Sequence, residues 1–403
     1  MGAPVAAAGS GSLLELRDLD PFARYAELRA AGPVTWDEGL RGWLVTGHDE
    51  CVTVERREDL FGPGMGTLEG AVEITGRRSV LTLEGEPHHA LHRFLARAMT
   101  ARELEPLRPE IRGMAEALLD ELEPEGTIEL WDRFASPLPV AVVARVLGLE
   151  HDRAALARSK AWMEAVLAWR HSYGLVPELV DAARTAARES VADLLPTVRA
   201  RRTDPRDDLI SGLWQIGPEI LADWGEDDVL DQCRVLFEAG SETTSHLIST
   251  TTALLVRDPE LERRVRAEPG ALARLVEESL RLWTVVHVRV RVAREDVELG
   301  GTTIPAGDRV HPVNAAANRD PARYPAPDAL DIDRRGQFSH LAFNVGPRHC
   351  VGAALARMEA VEAISALLAR TPTLRLAADR EAPSYRGLIA RSFRPLWLQL
   401  GAG

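Results

Sequence analysis

Cysteine is scarce in this chain. Three residues, Cys51, Cys233 and Cys350, serve 403 positions and lie far apart. So odd and scattered a set excludes a disulfide framework and an iron–sulfur cluster, and it fits a reducing compartment such as the cytoplasm. Positive charge is also in deficit: 48 Lys and Arg face 61 Asp and Glu, for a net charge of −13. That balance argues against nucleic acid as a partner, because phosphate binding needs a basic surface. No apolar run reaches the roughly 18 residues that a bilayer span needs, so no membrane association is expected. The N-terminus lacks a basic flank ahead of an apolar stretch, so no secretory signal is read there. No Gly-x-Gly-x-x-Gly follows a strand pattern, so the chain carries no dinucleotide or flavin module of its own. Internal repeats and low-complexity tracts are missing as well.

Against these absences the composition is ordinary. Hydrophobic residues make up 45% and charged residues 27%, the balance of a globular protein able to bury a large core. Length alone suggests two or three domains, yet no linker separates them. We expect a flexible Ala- and Gly-rich tail over residues 1–12 and one domain over residues 13–403. A helix is expected over 21–31, stopped by Gly32-Pro33, followed by short strands over 34–36 and 43–46. Residues 61–80 hold five glycines and no helical period, which reads as a long functional loop. Residues 87–256 read as almost entirely helical, with 226–256 one long stretch. A helix over 271–283, Val-rich strands over 285–313, an irregular loop over 314–339 and a last helix over 351–370 complete the reading. The fold class is mostly α with a small β part.

One segment concentrates chemistry: Phe343-Asn344-Val345-Gly346-Pro347-Arg348-His349-Cys350-Val351-Gly352. A Cys follows a Gly-containing loop and directly precedes an amphipathic helix. Backbone amides at a helix start stabilise a thiolate and lower its pKa. Gly346 and Gly352 let the backbone approach a flat group closely, and Arg348 adds a positive charge. A buried structural Cys is the plain alternative. Within the long helix, Ala239-Gly240-Ser241-Glu242-Thr243-Thr244 sets polar residues in apolar surroundings. Back-bonding of the hydroxyls to the helix is the structural explanation. Glu278 and Arg281, at i and i+3, share a helix face and can pair.

Together these segments resemble the bacterial class of the cytochrome P-450 family. The Cys segment meets every fixed position of the signature F-x-x-G-x-R-x-C-x-G, and residues 239–243 follow the pattern A-G-x-[DE]-T. The resemblance runs from about residue 20 to the end. It implies a triangular-prism fold with a long central helix over haem b, and it makes Cys350 the thiolate ligand of the iron. Phe343, Gly346 and Gly352 then shape the cofactor loop. His88, His92, Arg291 and Arg348 serve the haem propionates, His92 standing where Arg is usual. Ala239 and Gly240 make room for dioxygen, and Glu242 and Thr243 relay protons. Glu278, Arg281 and Arg334 form a buried trio behind the Cys loop. Residues 61–80 cover the haem, and Trp162, Met163, Leu167 and Trp169 fall where the lid helices lie. Val286, Val288, Ile389 and Ala390 close the sides of the pocket, with Thr284-Val285-Val286 lacking a customary Pro. Glu238, one turn before Glu242, either projects into the pocket to hold a polar or cationic group of the substrate or pairs with a neighbour such as Arg234.

The activity implied is that of a monooxygenase acting with O2 on a hydrophobic small molecule, a secondary metabolite such as a terpenoid, polyketide or aromatic. Electrons come from a ferredoxin-type donor and its reductase, docked on a basic surface near Arg93, Arg97, Arg102, Arg348 and Arg357. A peroxide-driven peroxygenase and a non-catalytic haem-thiolate binding protein are the alternatives. The acid-alcohol pair, which neither needs, speaks against both.

Overall fold

Thirty-two residues, Glu226–Arg257, form one helix, about 48 Å long at 1.5 Å per residue. Glu226, Asp227 and Asp228 open it, where negative charge meets the positive end of the helix dipole, and the Gly225 amide donates to Asp228 Oδ2 at 2.8 Å. Asp258 then starts the next helix, accepting from the amides of Glu260 and Leu261. The long helix is buried on most sides, and three of its hydroxyls are satisfied on its own backbone. Ser241 Oγ donates to the Phe237 carbonyl at 2.7 Å, Thr243 Oγ1 to Ala239 at 2.8 Å and Ser245 Oγ to Ser241 at 2.9 Å. Around it pack the helices Pro137–Leu147, Pro177–Thr203, Ala271–Leu282 and Ala353–Arg370, and the strand Arg391–Arg394.

The described residues are 12–149, 152–336 and 339–400 of a computed structural model. The expected tail lies outside them except for Ser12, which is pinned by its hydroxyl to Asp37 Oδ1 at 2.6 Å. A five-stranded sheet holds Val34–Asp37, Gly42–Val45, Arg309–Pro312, Arg291–Ala293 and Phe61–Pro63 in that order. Only the pairing of Gly42–Val45 with Arg309–Pro312 is parallel. One large apolar core runs from Leu13 to Leu400. Among the described residues no helix is long and apolar enough to cross a membrane.

Several expectations are corrected. Residues 61–80 are not one loop: they form the strand Phe61–Pro63, a 3-10 turn Met65–Thr67 and a short helix Ala71–Thr75. The strand exists because Arg291–Ala293 pairs with it, a partner about 230 residues away in the chain. The helical stretch is broken by the strand Thr127–Glu129, drawn out by Trp397–Gln399. In 285–290 regular pairing reduces to a single bridge, Val286 with Ala390.

Behind the Cys loop, Glu278 takes two bonds from Arg281, at 2.7 and 2.9 Å, and one from Arg334 Nε at 3.1 Å. Arg281 donates further to the carbonyls of Asn318, Pro327 and Ala329. Neither Glu278 nor Arg281 has any exposed surface. Removing one partner of such a pair strands a buried charge, which costs about 3–5 kcal/mol. Arg281→Ala is therefore expected to lower the unfolding free energy by about that amount, read from the denaturant midpoint. A loss below about 1 kcal/mol, the level of a surface pair, would refute the structural role.

Candidate active site

The Cys350 loop forms the floor of the main cavity. It turns sharply because Asn344 and Gly346 take positive φ, 62° and 77°. A side chain at 346 would lie 3.1 Å from the backbone of both Arg56 and Glu55. Gly346 is thus required by the neighbouring helix His48–Arg56, and it does not line the cavity. Gly352 does line it, and a side chain there would meet only Cys350 Sγ, at 3.9 Å. The Cys350 amide donates to the Phe343 carbonyl at 2.8 Å, and Arg357 stacks over the Phe343 ring at 4.5 Å. Burial pushes the Cys350 thiol up, while the Gly352 amide, Arg289 and Arg357 pull the other way. The net direction is upward, contrary to the lowering expected from the helix start alone. Burial outweighs the amide and the two arginines.

Basic side chains crowd one wall, three arginines and two histidines, and burial holds the His88 ring down at about 3, so it stands there neutral, as a hydrogen-bond donor. His88 is buried, and neither ring nitrogen makes a hydrogen bond. Arg348 donates to the Leu83 carbonyl at 2.8 Å, and its Nε lies 2.7 Å from Glu58 Oε1 without being aligned to it. Arg291 is engaged by buried Glu55 at 2.5 Å, and His92 by the His349 carbonyl at 2.7 Å. Arg289 donates one bond to the Ala342 carbonyl at 3.1 Å, and its Nη1 has no partner. All five residues line the main cavity.

The opposite wall is the long helix, which presents Ala239, Gly240, Glu242 and Thr243 to the same cavity. A side chain on Gly240 would meet Val143 Cγ2 at 2.7 Å. Its small size therefore also lets helix Pro137–Leu147 pack close. Glu242 Oε1 lies 3.5 Å from His171 Nε2 and 3.4 Å from His246 Nε2. Burial works against a charged Glu242, but the facing His171, His246 and Arg170 more than offset it and hold the carboxyl below its ordinary value. Glu238 does not enter the main cavity. It lines a separate small cavity beside Trp162, with Oε1 2.5 Å from Arg170 Nη2. Arg234, its anticipated alternative partner, turns to Asp231 at 2.6 Å. Glu238 therefore reaches the main cavity only through Arg170, which lines it.

Val286, Val288, Ile389 and Ala390 line the main cavity, as do Pro63, Met65, Leu68 and Val80 from the 61–80 segment. The lid helix Arg153–His171 differs from expectation. Trp162, Met163, Leu167 and Trp169 pack into the core, and the cavity is met by Arg170, His171 and, just beyond, Tyr173. Sequence reasoning missed Arg289, though it stands two residues before Arg291 in the extended segment that leads into the strand Arg291–Ala293. It also missed Glu277, which holds Arg357 and accepts from His340 Nε2 at 3.2 Å.

Comparisons with known proteins agree with this arrangement. The family model described as Cytochrome P450 matches residues 197–371. The 6-deoxyerythronolide B hydroxylase of Saccharopolyspora erythraea is 33% identical over 401 residues, covering 95% of this chain and 96% of that protein. The mycinamicin IV hydroxylase/epoxidase of Micromonospora griseorubida is 34% identical over 376 residues, covering 90% and 91%. Among solved structures, the myxobacterial cytochrome P450 CYP267B1 in complex with myristic acid superimposes with a TM-score of 0.85 at 32% identity, covering 95% of this chain and 97% of that one. A Cys loop on the floor, an acid and an alcohol on the long helix above it, and relatives matched over nearly their whole length place this chain in the bacterial class of the cytochrome P450 family, as a monooxygenase that binds haem b through a cysteine thiolate.

Proposed function

We propose that Cys350 is the thiolate ligand, and that the chain oxidises a hydrophobic secondary metabolite with electrons from a ferredoxin and its reductase. The observation that carries this reading is one cavity bounded by Cys350 below and by Glu242 and Thr243 beside it, with mostly apolar residues between. The residues present fit the haem. A flat group with two carboxylates needs buried cations and hydrogen-bond donors, and His88, Arg348 and Arg289 all hold polar atoms without a hydrogen bond at the cavity wall. Arg291 and His92 are already engaged, so they stand behind those three.

The bound haem supplies dioxygen activation and C–H oxidation, which thiolate donation to the iron favours. This chain's own residues bind, orient and move protons. Val286, Val288 and Ile389 press an apolar substrate toward the floor. Glu242 holds a charge next to the cavity, and Thr243 keeps its hydroxyl proton on the Ala239 carbonyl, leaving its lone pairs free to accept from an acid. The relatives' names, one a hydroxylase and one a hydroxylase/epoxidase, support hydroxylation or epoxidation of a polyketide-type molecule. Absorbance of the reduced protein with carbon monoxide tests the ligand, and spin-state shifts in an apolar compound screen test the substrate class. An unshifted Soret band would sink the thiolate assignment.

The proposed ferredoxin dock is smaller than the sequence suggests. Arg348 turns inward, Arg357 is held by Glu277, and Arg93 pairs with Glu86 at 2.7 Å. Arg97 and Arg102 remain exposed. Exposed pairs contribute about 0.2–1 kcal/mol each, so Arg97→Glu with Arg102→Glu is expected to weaken binding of an acidic ferredoxin several-fold. Titrations at low and high salt check it; affinity indifferent to ionic strength would remove the dock.

A further inference from the structure

We infer that His171, the last residue of the lid helix Arg153–His171, is the positioning residue of the proton relay: it holds Glu242 and resupplies its proton. The inference rests on the monooxygenase reading above and adds to it a residue that the acid-alcohol pair does not include. Two rings share one oxygen. His171 Nε2 and His246 Nε2 both approach Glu242 Oε1, at 3.5 and 3.4 Å. They are not equivalent. His246 has no exposed surface, its Nδ1 is taken up by Ser392 Oγ at 2.8 Å, and Trp131 lies 4.5 Å from it ring to ring. It orients Glu242 but has no route to water. His171 keeps 21% of its side chain accessible and lines the main cavity.

Its position is held from both sides. Arg170, the residue before it, contacts buried Glu238 on the long helix, 2.5 Å away. This gives Glu238 a place in the same device. The charged groups facing His171 are Glu242 on the long helix, Arg170 on its own helix, Arg394 on the strand Arg391–Arg394, and Arg17 near the N-terminus. Burial and the three arginines outweigh Glu242, and the ring binds a proton more weakly than a free histidine. A ring of that kind passes protons on and does not store them. The step moves no electrons. His171 Nδ1 takes a proton from a hydronium ion, leaving water, and the Nε2–H bond of the imidazolium then breaks as Oε1–H of Glu242 forms, leaving the ring neutral. Glu242 then gives its proton to Thr243 Oγ1, whose own proton goes into the cavity. A histidine within hydrogen-bond reach or one water of its acceptor suffices for such transfer.

Cumene hydroperoxide tests this in the holoprotein without a known substrate. Proton supply favours heterolytic O–O cleavage to cumyl alcohol, and its absence favours homolysis to acetophenone. Positioned acid–base groups contribute about 10²–10⁴-fold. His171→Asn, acting one step upstream, is expected to lower the alcohol-to-ketone ratio by roughly tenfold, with the carbon monoxide band unchanged. In the parent protein the ratio should fall as pH rises and the ring loses its proton; in His171→Asn it should be flat. An unchanged ratio with an unchanged pH profile overturns the inference. If Glu242→Gln lowers the ratio and His171→Asn does not, the relay stands without His171; if neither moves it, the relay reading fails too. Should His171→Asn not hold haem, NMR titration of the His171 ring decides, using the diamagnetic ferrous carbon monoxide form. Glu242→Gln should lower the His171 pKa, because the carboxylate raises it, and an unmoved titration overturns the link.

Discussion

Cys350→Ser is expected to abolish the red-shifted Soret band of the reduced, carbon monoxide-treated protein and to take turnover to background. Serine matches cysteine in size and keeps the amide that donates to the Phe343 carbonyl at 2.8 Å, so the loop survives. The hydroxyl is too weak an acid to replace a thiolate. The Arg348 and Arg289 cations and the His88 ring remain, so the variant is expected to retain haem with altered ligation while losing the electron donation that drives O–O cleavage. Neither remaining cysteine can substitute. Cys51 is fully buried against the five-stranded sheet, its thiol bonded to the Val45 carbonyl at 3.1 Å, and Cys233 is fully buried in the long helix. A red-shifted band that persisted in Cys350→Ser would place the ligand elsewhere and undo the proposal.

Glu242→Gln and Thr243→Ala are expected to divert electrons from product to peroxide. Product formation should fall by about 10²–10⁴-fold, the usual contribution of positioned acid–base groups, with Glu242→Gln the more severe. Glu242 is held ionised by His171, His246 and Arg170, so its replacement removes both a charge and a proton acceptor. Thr243→Ala removes one hydroxyl whose bond to the Ala239 carbonyl the helix does not need. Its helix should keep its stability, and spin-state shifts by an apolar probe should survive. Electron consumption, product and peroxide measured together check this. Unchanged product per electron pair in both variants would mean that protons arrive by another path.

The parts of this site legible in the sequence share a physical property: their partners are near in the chain or fixed by one loop. Cys350, Phe343 and Gly352 fall within ten residues, and Glu278 with Arg281 lie one helical turn apart. What stayed hidden depends on distant contacts. His171 matters only because the lid helix brings it to Glu242, about 70 residues on, and nothing in its neighbourhood announces that. Arg289 and Arg291 lie two residues apart, yet only the fold shows that Glu55 engages the second while a nitrogen of the first has no hydrogen bond. The strand Phe61–Pro63 has no local pattern strong enough to overrule its glycines; its ladder comes from Arg291–Ala293. Of the two readings of Glu238, the structure has the pairing with a neighbour, with Arg170 in the place anticipated for Arg234, because the i+4 spacing fixes only an approximate direction and the small cavity beside Trp162 lies within that spread.

Glu277 and Glu278 point two ways from one helix. The first holds Arg357 and His340, and the second holds Arg281 and Arg334. Adjacent acids thus tie that helix at once to the cysteine-bearing helix start and to the irregular segment before it. For anyone recombining this chain with its relatives, residues 271–357 form an indivisible block. A crossover inside that span separates acids from the bases they were matched to, and a single-residue insertion in the helix rotates both acids about 100° away from their partners. Exchange boundaries belong ahead of Ala271 or beyond Arg357, where the lid helix can be traded without parting these acids from their bases.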